Sequence, residues 1–301
     1  MAKIITFLNF KGGVGKTANV VNIAACLAKH HKKRVLVIDL DSQCSTTYWL
    51  LRPNHFESVV EEAVHRTSYQ IFDDTLNGSD YFNAEKAVLK GAPFTEEGFP
   101  RLPGLDLIPA SFDLIGFDAR ISLKQFPTLA KRFQELLGNL IFTVPKYDYV
   151  FLDCGPNLSW LTRLALASSH HVVVPYNPDF LSFAGLRTLA SHLIQLRNNF
   201  AEHHFNGGDC TIGALTINRT QQVGNVYQEA NLRLKLLLEK LRQEKLVHPK
   251  ARILSPGIRN CTALPASTDR HVPVLLHSPH SLSAQDYGVL TMDFINHFEA
   301  L

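Results

Sequence analysis

Lys11-Gly12-Gly13-Val14-Gly15-Lys16-Thr17 sits between an apolar run, residues 3–8, and a stretch of apolar helical periodicity, residues 16–29. Strand, glycine-rich turn and helix in that order are the setting in which a backbone cradles phosphate. Glycines let successive N–H groups turn inward onto phosphate oxygens, and the helix that follows brings its positive dipole end. Gly12, Gly13, Val14, Gly15 and Ala18 are therefore candidate phosphate contacts. Lys16 is placed to hold β- and γ-phosphates, and the Thr17 hydroxyl to bind Mg²⁺. An ordinary Walker A loop carries glycine five residues before Gly15. Phe10 stands there instead, and Lys11 follows it.

Outward from this loop, short β-branched runs alternate with helical stretches, the pattern of a parallel sheet covered by helices. Strands are expected at residues 3–8, 34–39, 105–109, 149–153, 171–175 and 211–218. Helices are expected at 16–29, 128–142, 158–167, 183–200, 224–246 and 284–300. Several of the strands are apolar almost throughout, as strands buried on both faces must be. The expected fold class is α/β: a doubly wound, mostly parallel sheet with helices on both faces, forming one domain over residues 1–301. Residues 52–103, punctuated by Asn77-Gly78, Gly91, Pro93, Gly98, Pro100 and Pro103, read as an irregular elaboration on one edge.

With 46% apolar and 19% charged residues among 301, the chain can bury a sizeable core and nothing in it reads as disordered. No window approaches the ~18 consecutive apolar residues of a membrane span. Met1-Ala2-Lys3-Ile4-Ile5 runs into a strand without a signal-peptide layout, so a cytoplasmic protein is expected. Five cysteines, odd in number and far apart, argue against a disulfide framework and a CxxC site. The fourteen histidines, including His30-His31, His170-His171 and His203-His204, lack zinc-ligand spacing. The net charge of +3 is concentrated late in the chain, where residues 219–259 hold nine Lys and Arg against three Asp and Glu.

Two further segments bring carboxylates to strand ends. Val35-Leu36-Val37-Ile38-Asp39-Leu40-Asp41-Ser42-Gln43 is a buried strand that delivers Asp39 and Asp41 at its C-terminal end. In open α/β sheets that end faces the ligand; two aspartates after a strand also suit a plain turn. Tyr147-Asp148-Tyr149-Val150-Phe151-Leu152-Asp153-Cys154-Gly155-Pro156 is a hydrophobic strand ending in Asp153, as a Walker B segment does, and Asp153 would hold a Mg²⁺-bound water.

Taken together, these three segments resemble the nucleotide motifs of the ParA/MinD family of deviant Walker A ATPases. The likeness is greatest to ParA/Soj-type partition ATPases without an N-terminal helix-turn-helix domain. The resemblance implies ATP and Mg²⁺ as cofactors and a hydrolysis that is slow until a partner stimulates it. It implies that Lys11 reaches across an ATP-dependent homodimer to the partner's nucleotide, and that Asp41 positions and polarises the attacking water. Lys11, Lys16 and Asp41 are then the catalytic set, with Asp39 near the Mg²⁺ shell beside Thr17 and Asp153. Ser42 and Gly155 both stand where the family commonly has proline; a glycine at 155 could turn its N–H toward the γ-phosphate. Weaker likenesses lie in Leu107-Ile108-Pro109-Ala110-Ser111, in Val172-Val173-Val174-Pro175 followed by Ala184-Gly185-Leu186, and in Pro273-Val274-Leu275. In the family an asparagine closing the sixth strand reads the adenine edge, which makes Asn218 the candidate base contact, although asparagine at a strand end also forms turns. The loop from Ile258-Arg259-Asn260 to Pro265 resembles the segment that closes over the nucleotide.

Nonspecific DNA and a cargo-linked, ParB-like stimulating protein are the partners the resemblance implies, with nucleoid association in the ATP-bound state. The sequence itself supports DNA only through its basic segment. At ~100° per residue, Arg233 and Lys240 share one side of a helix while Lys235 and Arg242 fall opposite. Solvated flanks of a core helix explain that charge as well as phosphate contacts do. No helix-turn-helix extension is expected before Lys3, and with it no sequence-specific operator binding. A MinD-like membrane-cycling ATPase would use a basic amphipathic C-terminal helix, and residues 292–301 contain no Lys or Arg, so no stable membrane insertion is expected. An iron–sulfur carrier would use paired cysteines. An ATP-binding adaptor without useful turnover stays open through Ser42 and Gly155.

Overall fold

The computed structural model describes residues 2–61, 63–95, 98–122, 124–143, 147–202, 210–219 and 225–301. Gly224, the expected start of one helix, and the His203-His204 pair lie outside the described residues. The strands are β1 Lys3–Phe7, β2 Val35–Asp39, β3 Leu105–Ile108, β4 Tyr149–Asp153, β5 His171–Tyr176, β6 Thr211–Ile217 and β7 Arg252–Ile253. They form one sheet in the order β3-β2-β4-β1-β5-β6-β7, and each pairing between them is parallel. The sheet is thus wholly parallel among the described residues. Helices cover both faces, as the doubly wound reading requires.

β2 and β4 are buried at every position. That is why their sequences run apolar without alternation until each ends in an aspartate. β7 has two residues and was not expected, because a run that short carries no pattern.

The helices are α1 Lys16–His31, α2 Ser45–Leu50, α3 Pro53–Phe56, α4 Ser68–Asn77, α5 Ala84–Ala87, α6 Phe126–Thr143, α7 Trp160–Ser168, α8 Phe180–Glu202, α9 Asn225–Gln243, α10 Ala263–Asp269, α11 Val274–His277 and α12 Leu282–Glu299. α1 is buried along most of its length, from Val20 to Ala28 without a break. It ends where Lys32 turns left-handed and donates its N–H to the Leu27 carbonyl, with Lys29, His30 and His31 at the negative dipole end.

The stretch 52–103 is more regular than its turn residues suggest, since it holds α3, α4 and α5. It also completes the sheet edge. Leu89 and Leu107 exchange backbone hydrogen bonds of 2.8 and 3.0 Å, and the Ala92 N–H donates to Leu105 at 2.7 Å. The outer edge of β3 is thereby paired instead of being left open to another chain.

Candidate functional site

Parallel register brings the acidic strand ends together. Asp153 lies opposite Phe7 on one side and Asp39 on the other, so both carboxylates stand where the chain leaves β1 for the glycine loop. Within that loop Gly13 and Gly15 adopt φ of 70° and 90°. Gly15 is required twice over: its φ suits glycine, and a Cβ there would come within 2.6 Å of the Asn218 amide nitrogen. Asn218 closes on the loop by donating from Nδ2 to the Val14 carbonyl at 2.6 Å.

Lys16 opens α1 almost fully buried, at 8% exposure. Burial lowers its ammonium pKa, while Asp153 and Asp41 work the other way. Asp153 receives hydroxyl hydrogen bonds from Thr17 (2.8 Å) and Thr46 (2.7 Å), both on Oδ2. Its Oδ1 is buried with no protein donor. A buried carboxylate oxygen left unmatched costs stability, and a cation or cation-bound water is the natural complement. With the Thr17 hydroxyl on the other oxygen of the same carboxylate, the site offers hard oxygen donors suited to Mg²⁺. Among the described residues no group of three or more His, Cys, Asp or Glu side chains could hold a metal ion by itself.

Asp39 is engaged within the protein. Its Oδ2 accepts from the Thr47 N–H and hydroxyl at 2.8 and 2.7 Å, and its Oδ1 from the Asp41 N–H at 3.1 Å. Burial, and then the charge of Asp153, push the Asp39 carboxyl above the usual carboxylate range despite Thr47. Burial raises Asp153 as well, against Thr46, Thr17 and Lys16. Two raised acids side by side mark a cluster short of positive charge.

Asp41 accepts the Gln43 N–H at 3.0 Å and lies beside Gly155, whose absent Cβ would stand 3.4 Å from Asp41 Oδ1. That is ordinary contact, so space does not enforce glycine at 155. Gly12 faces open space, with nothing within 4 Å of a Cβ there. Lys11 points away from the Asp153 cluster: its ammonium pairs with Asp179, beyond β5, at 2.7 Å. Its N–H donates to Asn9 Oδ1, and Asn9 in turn donates to the Pro175 carbonyl.

Beyond Gly15 a cavity of about 290 Å³ opens between the loop, Asn218, Ile258–Cys261 and Tyr287, with Ala18 also in its wall. Two polar atoms of its lining residues, Asn218 Oδ1 and the Tyr287 hydroxyl, are buried without partners. Arg259 is clamped by Asp286 through its backbone N–H and guanidinium, at 2.7 to 3.1 Å. The site therefore unites Lys16, Thr17, Asp39, Asp41, Asp153 and Asn218, with Lys11 on its rim. Thr46, Thr47, Asp179 and Tyr287 were not anticipated. The run Cys44-Ser45-Thr46-Thr47 directly after Gln43 was the available signal for the first two.

The AAA-domain family AAA_31 matches residues 2–205, more than half of the chain. A ParA family protein of Chlamydia trachomatis is 28% identical over 296 residues, 97% of each chain. The sporulation initiation inhibitor protein Soj of Bacillus subtilis is 34% identical over 189 residues, 63% of this chain and 64% of Soj. The chain belongs to the ParA/MinD family. A plasmid partition protein from Borrelia burgdorferi shares the fold at a TM-score of 0.61 and 21% identity, covering 99% of this chain and 100% of that one. Among the described residues of this ParA-like ATPase, no helix is long and apolar enough to cross a membrane. All five cysteines are free.

Proposed function

We propose that the chain is a ParA-like switch: it binds ATP and Mg²⁺, dimerises around the nucleotide, binds DNA without sequence preference and hydrolyses ATP slowly to partition or position a cargo. The observation that carries this reading is the half-satisfied Asp153. One oxygen is fixed by Thr17 and Thr46 while the other is buried without a donor, directly beside the glycine loop and Lys16. In this reading Gly12 to Thr17 and Ala18 wrap the phosphates, Lys16 neutralises their charge, and Asn218 offers its free amide oxygen to the adenine amino group. Thr17 and Asp153 hold Mg²⁺, and Asp39 holds the Asp41 turn behind them. Bound Mg²⁺ would offset the charge that builds on the phosphate oxygens during transfer.

Asp41 is the residue that orients water, and its turn meets Gly155, so loss of the γ-phosphate can be felt by both segments. Lys11 is occupied by Asp179 within its own chain, which suits a lysine whose target lies in a partner. Dimerisation through Lys11 makes ATP favour the associated state and hydrolysis release it.

For DNA, the exposed Lys235, Lys240 and Lys245 of α9 and its end are the candidate phosphate contacts. Arg233 pairs with Glu229 and Arg242 with Glu239, so they contribute less free charge. A cargo-linked, ParB-like protein would stimulate hydrolysis, and residues 52–103 are the proposed family-specific surface on an otherwise single ATPase domain. Binding to random-sequence duplex at two salt concentrations tests the DNA reading. It should require ATP, weaken steeply with salt as released counterions dictate, and vanish in Lys11→Ala. Binding that ignores the nucleotide would remove the switch from the account.

A further inference from the structure

The five cysteines fall into two chemical groups. Cys26, Cys44, Cys154 and Cys210 are buried at 5% exposure or less. Burial pushes the Cys26 thiol up to about 12 and raises the other three as well. Such thiols are poor nucleophiles, because the thiolate is the reactive form. Cys261 is the exception: it is partly exposed and lines the 290 Å³ cavity with Gly13, Gly15, Asn218 and Tyr287.

Its sulfur lies 3.0 Å from the Ser283 hydroxyl, in the first turn of α12. Burial raises this thiol too, but the Ser283 hydroxyl and the N–H groups of Ser283, Ala263 and Leu264 outweigh it, leaving Cys261 below the ordinary thiol range. Sulfur there is held by hydrogen-bond donors and by the positive end of an eighteen-residue helix. Two residues of the same cavity wall, Asn218 and Tyr287, each keep a buried polar atom without a protein partner, Oδ1 and the hydroxyl, so this side of the cavity holds unmet hydrogen-bonding capacity.

We propose that Cys261 is a reactive thiol site for soft electrophiles and hydroperoxides, set in the wall of the base cavity so that its modification and nucleotide binding exclude each other. The exclusion rests on the nucleotide reading above; the selectivity of the thiol does not. With an alkyl halide, the Cys261 thiolate forms the S–C bond as the C–halogen bond breaks and halide leaves with the electron pair. With a hydroperoxide, sulfur attacks the terminal oxygen and the S–O bond forms as the O–O bond breaks. The leaving alkoxide or hydroxide takes up a proton, so that thiol is oxidised to sulfenic acid and peroxide is reduced. Either adduct adds bulk within that cavity of about 290 Å³.

The test is iodoacetamide labelling of the native chain, with each cysteine quantified by mass spectrometry, and fluorescent ATP-analogue binding followed before and after labelling. Cys261 should react at least about tenfold faster than the four buried thiols, as its higher thiolate fraction dictates. Nucleotide at ten times its Kd should slow that reaction about tenfold by occupancy alone. Labelled chain should lose analogue binding, whereas in Cys261→Ser the same treatment should leave whatever binding that variant has unchanged. Ser283→Ala should move the pH profile of labelling to higher pH, a shift that general loosening would not produce. Equal labelling of Cys26, Cys44, Cys154 or Cys210 in the folded chain overturns the thiol site. Unprotected Cys261 labelling while the analogue is demonstrably bound overturns the exclusion. If the unlabelled chain binds no analogue, the nucleotide reading fails, and selective Cys261 labelling still supports the thiol site.

Discussion

Gly15 shows how much a single position can carry. Its φ of 90° and the 2.6 Å approach of Asn218 to its missing Cβ penalise any side chain. Gly15→Ala should therefore destabilise the fold by about 1–3 kcal/mol and reduce nucleotide affinity at least about tenfold. Gly12, with nothing within 4 Å, is the contrast. Gly12→Ala should stay within about 0.5 kcal/mol of the parent in a denaturant titration. Equal destabilisation by both would show that the loop is strained as a whole and not at Gly15. Asn218→Ala removes the bond to Val14 and the unpartnered amide oxygen together, so the preference for ATP over GTP in competition binding should fall. At this scale Lys16, Thr17, Asp39, Asp41 and Asp153 were legible, because glycine spacing and acids at strand ends are patterns in the chain. Tyr287 and Asp179 were not. A hydroxyl or carboxylate that reaches the site from a distant helix or loop leaves no local period.

Elements place those residues, and α2 is the element on which the acidic cluster depends. Thr46 reaches Asp153 and Thr47 reaches Asp39, while Thr47 Oγ1 also accepts the Ala110 N–H at 2.9 Å beyond β3. The short likeness at residues 107–111 thus has a physical use: it docks the end of β3 onto α2, through Thr47. Thr47→Val keeps the shape and removes both hydroxyl bonds, at a cost of about 1–3 kcal/mol in the urea midpoint, with the slope unchanged. An unchanged midpoint would mean that the Thr47 and Asp41 N–H groups hold Asp39 without the hydroxyl. The long elements were readable from periodicity, α1 and the six strands β1 to β6 most clearly. α2 to α5, α10 and α11 were not, since four to ten residues supply too few turns for a hydrophobic face to declare itself, and β7 has only two residues.

Across the whole molecule, the two ends of the sheet do different things. At the end away from the glycine loop, His171 packs 5.6 Å from the rings of both His248 and Phe298, with its Nδ1 buried and unpartnered. Burial first, then His248, His170, Lys3 and His297, hold its pKa down to about 4. Between that value and the ordinary ~6.5 the unfolded chain binds more protons than the folded one, so stability is present at neutral pH and lost as pH falls through this window. Raised Asp39 and Asp153 act with the opposite sign over the same range, so the expected readout is a difference: from pH 7 to pH 5 the thermal midpoint of the parent should fall relative to that of His171→Phe, a subtraction that cancels the carboxylates. Identical slopes would assign the acid sensitivity elsewhere. At the nucleotide end, the Lys11–Asp179 pair must open if Lys11 is to reach a partner. The pair is about one-third exposed on each side and worth at most about 1 kcal/mol, so Asp179→Asn should strengthen ATP-dependent association by a few-fold. In the proposed switch, ATP joins two copies through Lys11. Light-scattering mass of the purified chain with ATP and Mg²⁺, with ADP, and with ATP in Lys11→Ala tests it most directly. A doubled mass is expected in the first case alone; a monomer in all three, or a dimer indifferent to nucleotide and to Lys11, would rule the switch out.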